Sequence, residues 1–131
     1  MSKIINVTCA IILKDKKILV TQRSEKMKLP LKWEFPGGKL EINETEIDCI
    51  KREMREELNI EIEISKKLSN NIHDYSNFKI NLIPFLVNYI SGEIKLAEHV
   101  DYKLLEKPEL LDLDWAEADL PIVEEFLKLE I

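Results

Sequence analysis

The chain is poor in the residues that loosen or cross-link a fold. Of 131 residues only three are glycine, five proline and two cysteine. With no low-complexity tract and no internal repeat, neither a disordered chain nor a repeat array fits. Cys9 and Cys49 are far apart and in no metal-like spacing, which excludes a disulfide scaffold and a thiolate metal centre. Both are expected to be buried free thiols in a reducing compartment. No apolar run approaches a membrane span, and the first residues lack a leader with a cleavage site. A cytoplasmic protein without a membrane partner is therefore expected. Positive charge is also short: 19 Lys and Arg face 25 Asp and Glu, a net charge of −6. A net acidic surface has no attraction for a nucleic-acid polymer.

What is present suits one core. Hydrophobic residues make up 45% and charged residues 34%, and the length fits a single domain over 1–131. The charge is unevenly placed. Residues 1–40 hold nine bases and three acids, residues 41–63 nine acids and three bases, and residues 64–131 thirteen acids and seven bases. The middle segment alone equals the net charge of the whole chain.

Val7 to Leu13 reads as a buried strand, Asp15-Lys16-Lys17 as a turn and Ile18 to Gln22 as a second strand. Residues 24–32 are polar and irregular. Trp33-Glu34-Phe35 is a short strand leading into Pro36-Gly37-Gly38, where adjacent glycines mark unusual backbone. Ile60 to Ile64 alternates as a half-exposed strand. Phe78 to Ile90 is the longest strand signal, with Pro84 suggesting a bulge or an edge. Tyr102 to Leu105 is a short strand, Pro108 to Leu111 starts a short helix and Leu120 to Leu129 is a terminal one. Irregular alternation of strands and helices predicts an α+β or α/β fold with a mixed sheet.

Residues 44–58 are predicted to be helical. Asn43 is the expected N-cap, with Glu46 completing a capping-box-like pair. Ile47, Ile50, Met54 and Leu58 form one apolar stripe, and Asn59 follows as a residue suited to a left-handed helix end. Glu53, Glu56 and Glu57 share one flank beside that stripe. Like charges so placed weaken a helix by a few tenths of a kcal/mol per pair. Arg52 and Arg55 relieve part of this. The helix alone is compatible with a solvated charged face or with a divalent-cation site of hard oxygen ligands.

The spacing decides between them. From Gly38 the chain runs five residues to Glu44, then seven to Arg52-Glu53-Met54-Arg55-Glu56-Glu57-Leu58-Asn59-Ile60. This resembles the Nudix box at every position except the late glycine, which is Asn59 here. Asparagine tolerates a left-handed backbone, so the turn is expected to survive. The entering segment Lys32-Trp33-Glu34-Phe35-Pro36-Gly37-Gly38-Lys39 is similar to that of MutT-type nucleoside triphosphate pyrophosphohydrolases. Gln22-Arg23, Glu98 in Leu96-Ala97-Glu98-His99, and Ala118-Asp119-Leu120-Pro121 resemble the same subfamily more loosely.

The resemblance implies an α/β/α sandwich of the α+β class, with a mixed β-sheet and the loop–helix–loop of the box. It implies Mg²⁺, with Mn²⁺ as a possible substitute, and hydrolysis of a nucleotide to a monophosphate and pyrophosphate. Glu53 and Glu57 are the implied metal ligands, with a Gly37 or Gly38 carbonyl added. Glu56 is a third ligand or a supporting group. Glu98 is a mobile-loop ligand or the general base, and Glu53 is the rival base. Arg52 is implied to orient the glutamates, and Glu44 to brace the loop. Arg23, Lys39 and, more weakly, Lys28 are phosphate-binding candidates; a lone lysine is more simply a solvated one. Glu34 and Pro36 belong to the segment lining the substrate site. Phe35 and Phe78 would flank a base, although core packing explains either, as it does Trp33 and Trp115. His73 and His99 lack partners at ligand spacing and read as surface or loop residues.

Asp119 is the candidate base reader, or simply a cap on the last helix. An ionised carboxylate accepts from the N4 amino group of cytosine. A protonated one both donates and accepts, matching O6 and N7–H of 8-oxoguanine. The leading expectation is 8-oxo-dGTP, with CTP or dCTP next. ADP-ribose or dinucleotide polyphosphate hydrolysis, and a non-catalytic nucleotide-binding module, are the remaining readings. A small nucleotide is the expected partner, for a monomer or homodimer.

Overall fold

The computed structural model describes residues 3–131. Eight strands and two α-helices follow one another as β1 (Ile4–Lys14), β2 (Lys17–Gln22), β3 (Trp33–Glu34), β4 (Gly37–Lys39), α1 (Glu46–Leu58), β5 (Glu61–Lys67), β6 (Asn71–Asp74), β7 (Lys79–Ser91), β8 (Asp101–Leu105) and α2 (Leu120–Leu127). Two 3₁₀ turns, Lys107–Asp112 and Glu117–Asp119, lead into α2.

The sheet is mixed, as expected. β1 and β7 run parallel from Ile4↔Lys79 to Leu13↔Asn88, and the other pairings between these strands are antiparallel. Alternate residues of β1 feed two cores. Cys9 and Ile11 pack with Trp115, Ile122, Val123 and Phe126, whereas Ala10 and Ile12 pack with Ile50, Met54 and Leu58. Period-two alternation on a doubly covered strand gives the α/β/α sandwich.

The sheet forks where the site forms. β2 pairs with β1 only over Ile12–Lys14, and β4 takes the same edge of β1 over Val7–Cys9. Residues 33–39 fill the wedge, anchored where the Ala10 N–H donates to the Pro36 carbonyl (2.8 Å).

Three local expectations change. The N-cap is Thr45, whose hydroxyl accepts from the Asp48 N–H (3.1 Å). Asn43 instead spends its left-handed tolerance (φ 65°) in the preceding turn, closed by the Glu44 N–H on the Glu41 carbonyl. Ile47 is 44% exposed, and Cys49 takes its place beside Ile50, Met54 and Leu58. Pro84 lies neither on an edge nor in a bulge. β7 is flanked by β1 on one side and by β5 and β6 on the other, and Pro84 falls at the seam between those two. No ladder partner calls for its missing N–H there, and its carbonyl still accepts from the Leu68 N–H (3.0 Å). β4 and β6 carry no strand signal of their own. They form because neighbours present free edges.

Candidate active site

A cleft of about 390 Å³ opens on the box helix. Its lining includes Gly37, Gly38, Glu53, Glu57, Glu98 and His99. A second hollow of about 300 Å³ carries Lys28, Leu29, Tyr75, Phe78 and Ala118. The two share Val7, Arg23, Glu34, Lys39, Leu82 and Asp119, so they form one elongated cleft with an acidic end and an aromatic end.

Arg52 organises the acidic end. Its guanidinium donates to Glu44 (2.7 and 3.0 Å), Glu53 (2.8 Å), Glu56 (2.9 Å) and the Lys39 carbonyl (3.2 Å). A planar fork can serve several acceptors at fixed angles, which a lysine cannot. These bonds pull the Glu44 carboxyl down to about 2, so it stays ionised. Glu53 is pushed the other way, chiefly by burial, against the pull of Arg52. Glu57 also shifts upward, through burial and then the charge of Glu98.

Close contact positions Glu53. A methyl group on Gly38 would lie 2.2 Å from the Glu53 carboxyl carbon, so only glycine leaves that carboxylate its place. The Gly38 carbonyl accepts from the Thr8 hydroxyl (3.2 Å). Ladder alternation, set by Ala10 N–H on Pro36 and Leu40 N–H on Asn6, turns the Gly37 carbonyl away from β1.

Glu56 sits at the margin, its side chain 59% exposed and turned to Arg52. Phe35 is buried against Trp115 (centroids 4.8 Å apart), so its ring belongs to the core while its backbone N–H borders the cleft. Pro36 contributes its carbonyl to the sheet. Phe78 stacks on Tyr75 (5.3 Å) with the Lys28 ammonium 4.6 Å from its ring centre. Arg23 is tied to Glu34 (2.9 Å) and to the Lys28 carbonyl (2.5 Å).

His99 is not a surface residue. Its side chain is 3% exposed, Nε2 lies 2.8 Å from Glu34 Oε2, and Nδ1 lies 3.9 Å from Glu57 Oε2. Sequence spacing gave no hint, because both partners come from distant segments. Only its adjacency to Glu98 was a signal. His73 does sit near the surface, beside Glu117 (3.1 Å).

Asp119 does not cap α2. Its Oδ2 accepts from the Phe35 N–H (2.9 Å), and no cap hydrogen bond is made. At 4% exposure its carboxyl is pushed well above the usual range by burial and by the charge of Glu34.

The donor set suits a divalent cation. Glu57 Oε2 and His99 Nδ1 are buried without hydrogen-bond partners, and a cation on Glu57 would satisfy the first. Among the described residues no three side chains enclose an ion by themselves. Among those residues no helix is long and apolar enough to cross a membrane.

An α/β/α sandwich with a braced cluster of glutamates at one end of a two-ended cleft suits a metal-dependent hydrolase. The sequence matches the NUDIX domain model over residues 3–126, and the chain belongs to the NUDIX family. It is 35% identical over 127 residues to the CTP pyrophosphohydrolase of Escherichia coli (strain K12), covering 97% of this chain and 94% of that one. It is 37% identical over 81 residues to the 8-oxo-dGTP diphosphatase of Proteus vulgaris, covering 62% and 72%. The solution structure of the MutT protein from methicillin-resistant Staphylococcus aureus 252 is 44% identical, with a TM-score of 0.79 over 97% of this chain and 98% of that one.

Proposed function

We propose that this MutT-type nucleotide pyrophosphohydrolase cleaves nucleoside triphosphates to the monophosphate and pyrophosphate. The observation that carries this is the two-ended cleft. Glu53, Glu57 and Glu98 converge at one end, and Asp119, Tyr75 and Phe78 line the other. Glu53 and Glu57 would hold the metal, with the Gly37 carbonyl the better placed of the two glycine carbonyls. Glu56 supports through Arg52. The ion we propose is Mg²⁺, with Mn²⁺ as substitute; when bound it neutralises phosphate charge and acidifies water. Glu98 or Glu53 takes the proton from the attacking water, whose oxygen joins phosphorus as the anhydride bond breaks. Lys39, at the junction of the two hollows, faces the phosphates. Arg23, held by Glu34, shapes the cleft wall between them.

Asp119 reads the base. Burial favours its neutral form, which both donates and accepts and so matches O6 and N7–H of 8-oxoguanine. We propose 8-oxo-dGTP first on that ground. A second reading, CTP or dCTP, uses the ionised form accepting from the N4 amino group. The name of the Escherichia coli relative supports it. Phosphate release, coupled to pyrophosphatase and read with malachite green over 8-oxo-dGTP, dGTP, CTP, dCTP and dATP, ranks these. Mg²⁺-dependent turnover is expected, with a loss of at least about 100-fold in Glu53→Gln. No turnover on any triphosphate, or full activity in Glu53→Gln, would refute the proposal.

A further inference from the structure

The box departs from its family pattern at one residue, and that residue makes a contact glycine cannot make. Asn59 ends α1 in the left-handed conformation (φ 62°, ψ 35°). Its own N–H donates to the Arg55 carbonyl (3.0 Å), and the Ile60 N–H donates to that of Met54 (3.2 Å), closing the helix. These bonds are made by backbone and need no side chain. The Asn59 side chain is used elsewhere: Nδ2 donates to the Glu93 carbonyl (3.0 Å).

Glu93 opens the segment that carries Glu98. Two further bonds fasten that segment to the helix end. The Lys95 N–H donates to the Leu58 carbonyl (3.0 Å), and the Ala97 N–H donates to the Glu57 carbonyl (3.1 Å). Both acceptors are last-turn carbonyls without an intrahelical partner. Ile94 and Leu96 pack on the α1 core between these bonds. The turn before them approaches closely as well: a methyl group on Gly92 would lie 2.4 Å from the Asn59 carbonyl oxygen. At the far end, His99 bonds Glu34 and the Val100 N–H donates to the Gln22 carbonyl (3.0 Å). The resemblance implies a mobile loop here. In the structure it is pinned at both ends and twice between.

We propose that Asn59 is a positioning residue that clamps residues 93–98 to the end of the box helix and so holds Glu98 over Glu57. Asparagine at the glycine position thereby does more than tolerate the turn. The clamp rests on the hydrolase reading for its consequence in turnover, but not for its existence. Holding a carboxylate on a pinned segment removes the need to order it in each cycle. Without the side-chain bond the two backbone bonds remain, so the segment opens more often rather than detaching.

Asn59→Gly keeps the left-handed turn and deletes the clamp. Asn59→Asp keeps the shape and replaces the donor with an acceptor. Amide hydrogen exchange by mass spectrometry on the metal-free 131-residue chain is expected to speed up in residues 93–98 by about fivefold in both variants, the worth of one hydrogen bond. Exchange in β1 and β7 is expected to stay unchanged. Turnover is expected to fall in kcat by at most that factor at unchanged KM, and to fall no further when Asn59→Gly is added to Glu98→Gln. Wild-type exchange in residues 93–98 of Asn59→Gly would overturn the clamp. Losses that multiply in the double variant would overturn its link to Glu98. If the wild-type protein hydrolyses no triphosphate, the functional reading fails, and the exchange measurement still tests the clamp.

Discussion

Gly37 and Gly38 are adjacent, yet adding one methyl group to each should damage different properties. At Gly38 the methyl carbon would lie 2.2–2.4 Å from the three carboxyl atoms of Glu53. An ordinary contact is near 3.4 Å, so the carboxylate must retreat by about 1 Å, a displacement that can cost on the order of 100-fold in rate. The displaced group is the end of a flexible side chain, so the cost in stability is small, about 1 kcal/mol or less. At Gly37 the methyl carbon would lie 1.9 Å from the Thr8 carbonyl oxygen and 2.7 Å from the Cys9 Cα. Backbone cannot swing away, so β4 must part from β1, at about 3 kcal/mol or more. In a domain of this size that lowers Tm by roughly 10 °C, against a few degrees at most for Gly38→Ala. Thermal unfolding together with kcat and KM, measured with Mg²⁺ on the best triphosphate, separates the two. Gly38→Ala with wild-type kcat would refute the close packing of Glu53 on that glycine as a determinant of catalysis. A Gly37→Ala protein with wild-type Tm would refute the strand contact.

Three further outcomes are expected. The Asp119 carboxyl is raised in the folded chain, so its neutral form prevails at low pH and is lost as pH rises through the folded value. The ratio of kcat/KM for 8-oxo-dGTP over CTP should therefore fall as pH rises, and Asp119→Asn should flatten that dependence. A ratio independent of pH in the wild type would argue against base reading by this group. Arg52→Lys keeps one charge but loses the fork that serves Glu44, Glu53, Glu56 and the Lys39 carbonyl, so kcat should drop about tenfold or more. Equal kcat in Arg52→Lys would show that charge alone suffices. Met54 is fully buried under the sheet, and Met54→Ala should cost about 2–5 kcal/mol in chemical denaturation.

Much of the candidate site was legible in one dimension because one helix carries it. Glu53, Glu56, Glu57 and Arg52 are fixed relative to one another by helical geometry, so the spacing they share with the box points to them as candidates. The left-handed end at Asn59 was legible for the same local reason. Glu44 stands at a fixed spacing before the helix, but its bonds to Arg52 appear only in the fold. Apolar patterning likewise marked β1, β2, β7 and β8, because burial imposes period two or a continuous apolar run.

Tertiary structure decided whatever depends on distant segments. Pro84 contradicts an interior strand when read alone; only the seam between β5 and β6 shows why it is harmless there. Asn43 and Thr45 are both good caps, and the turn closed by Glu44 on Glu41 chose between them. His99 has no partner nearby in sequence, yet the fold buries it between Glu34 and Glu57. Asp119 was identified as a candidate from its local resemblance. Its bond to the Phe35 N–H, its burial and its raised pKa exist only once residues 33–39 wedge into the fork of the sheet. The sequence by itself determined the family, the acidic helix and the chemistry they imply, since those are encoded at fixed short spacings. The fold decided which carboxylates face one cleft and that burial pushes Glu53, Glu57 and Asp119 upward, since both depend on desolvation and on charges brought together from across the chain.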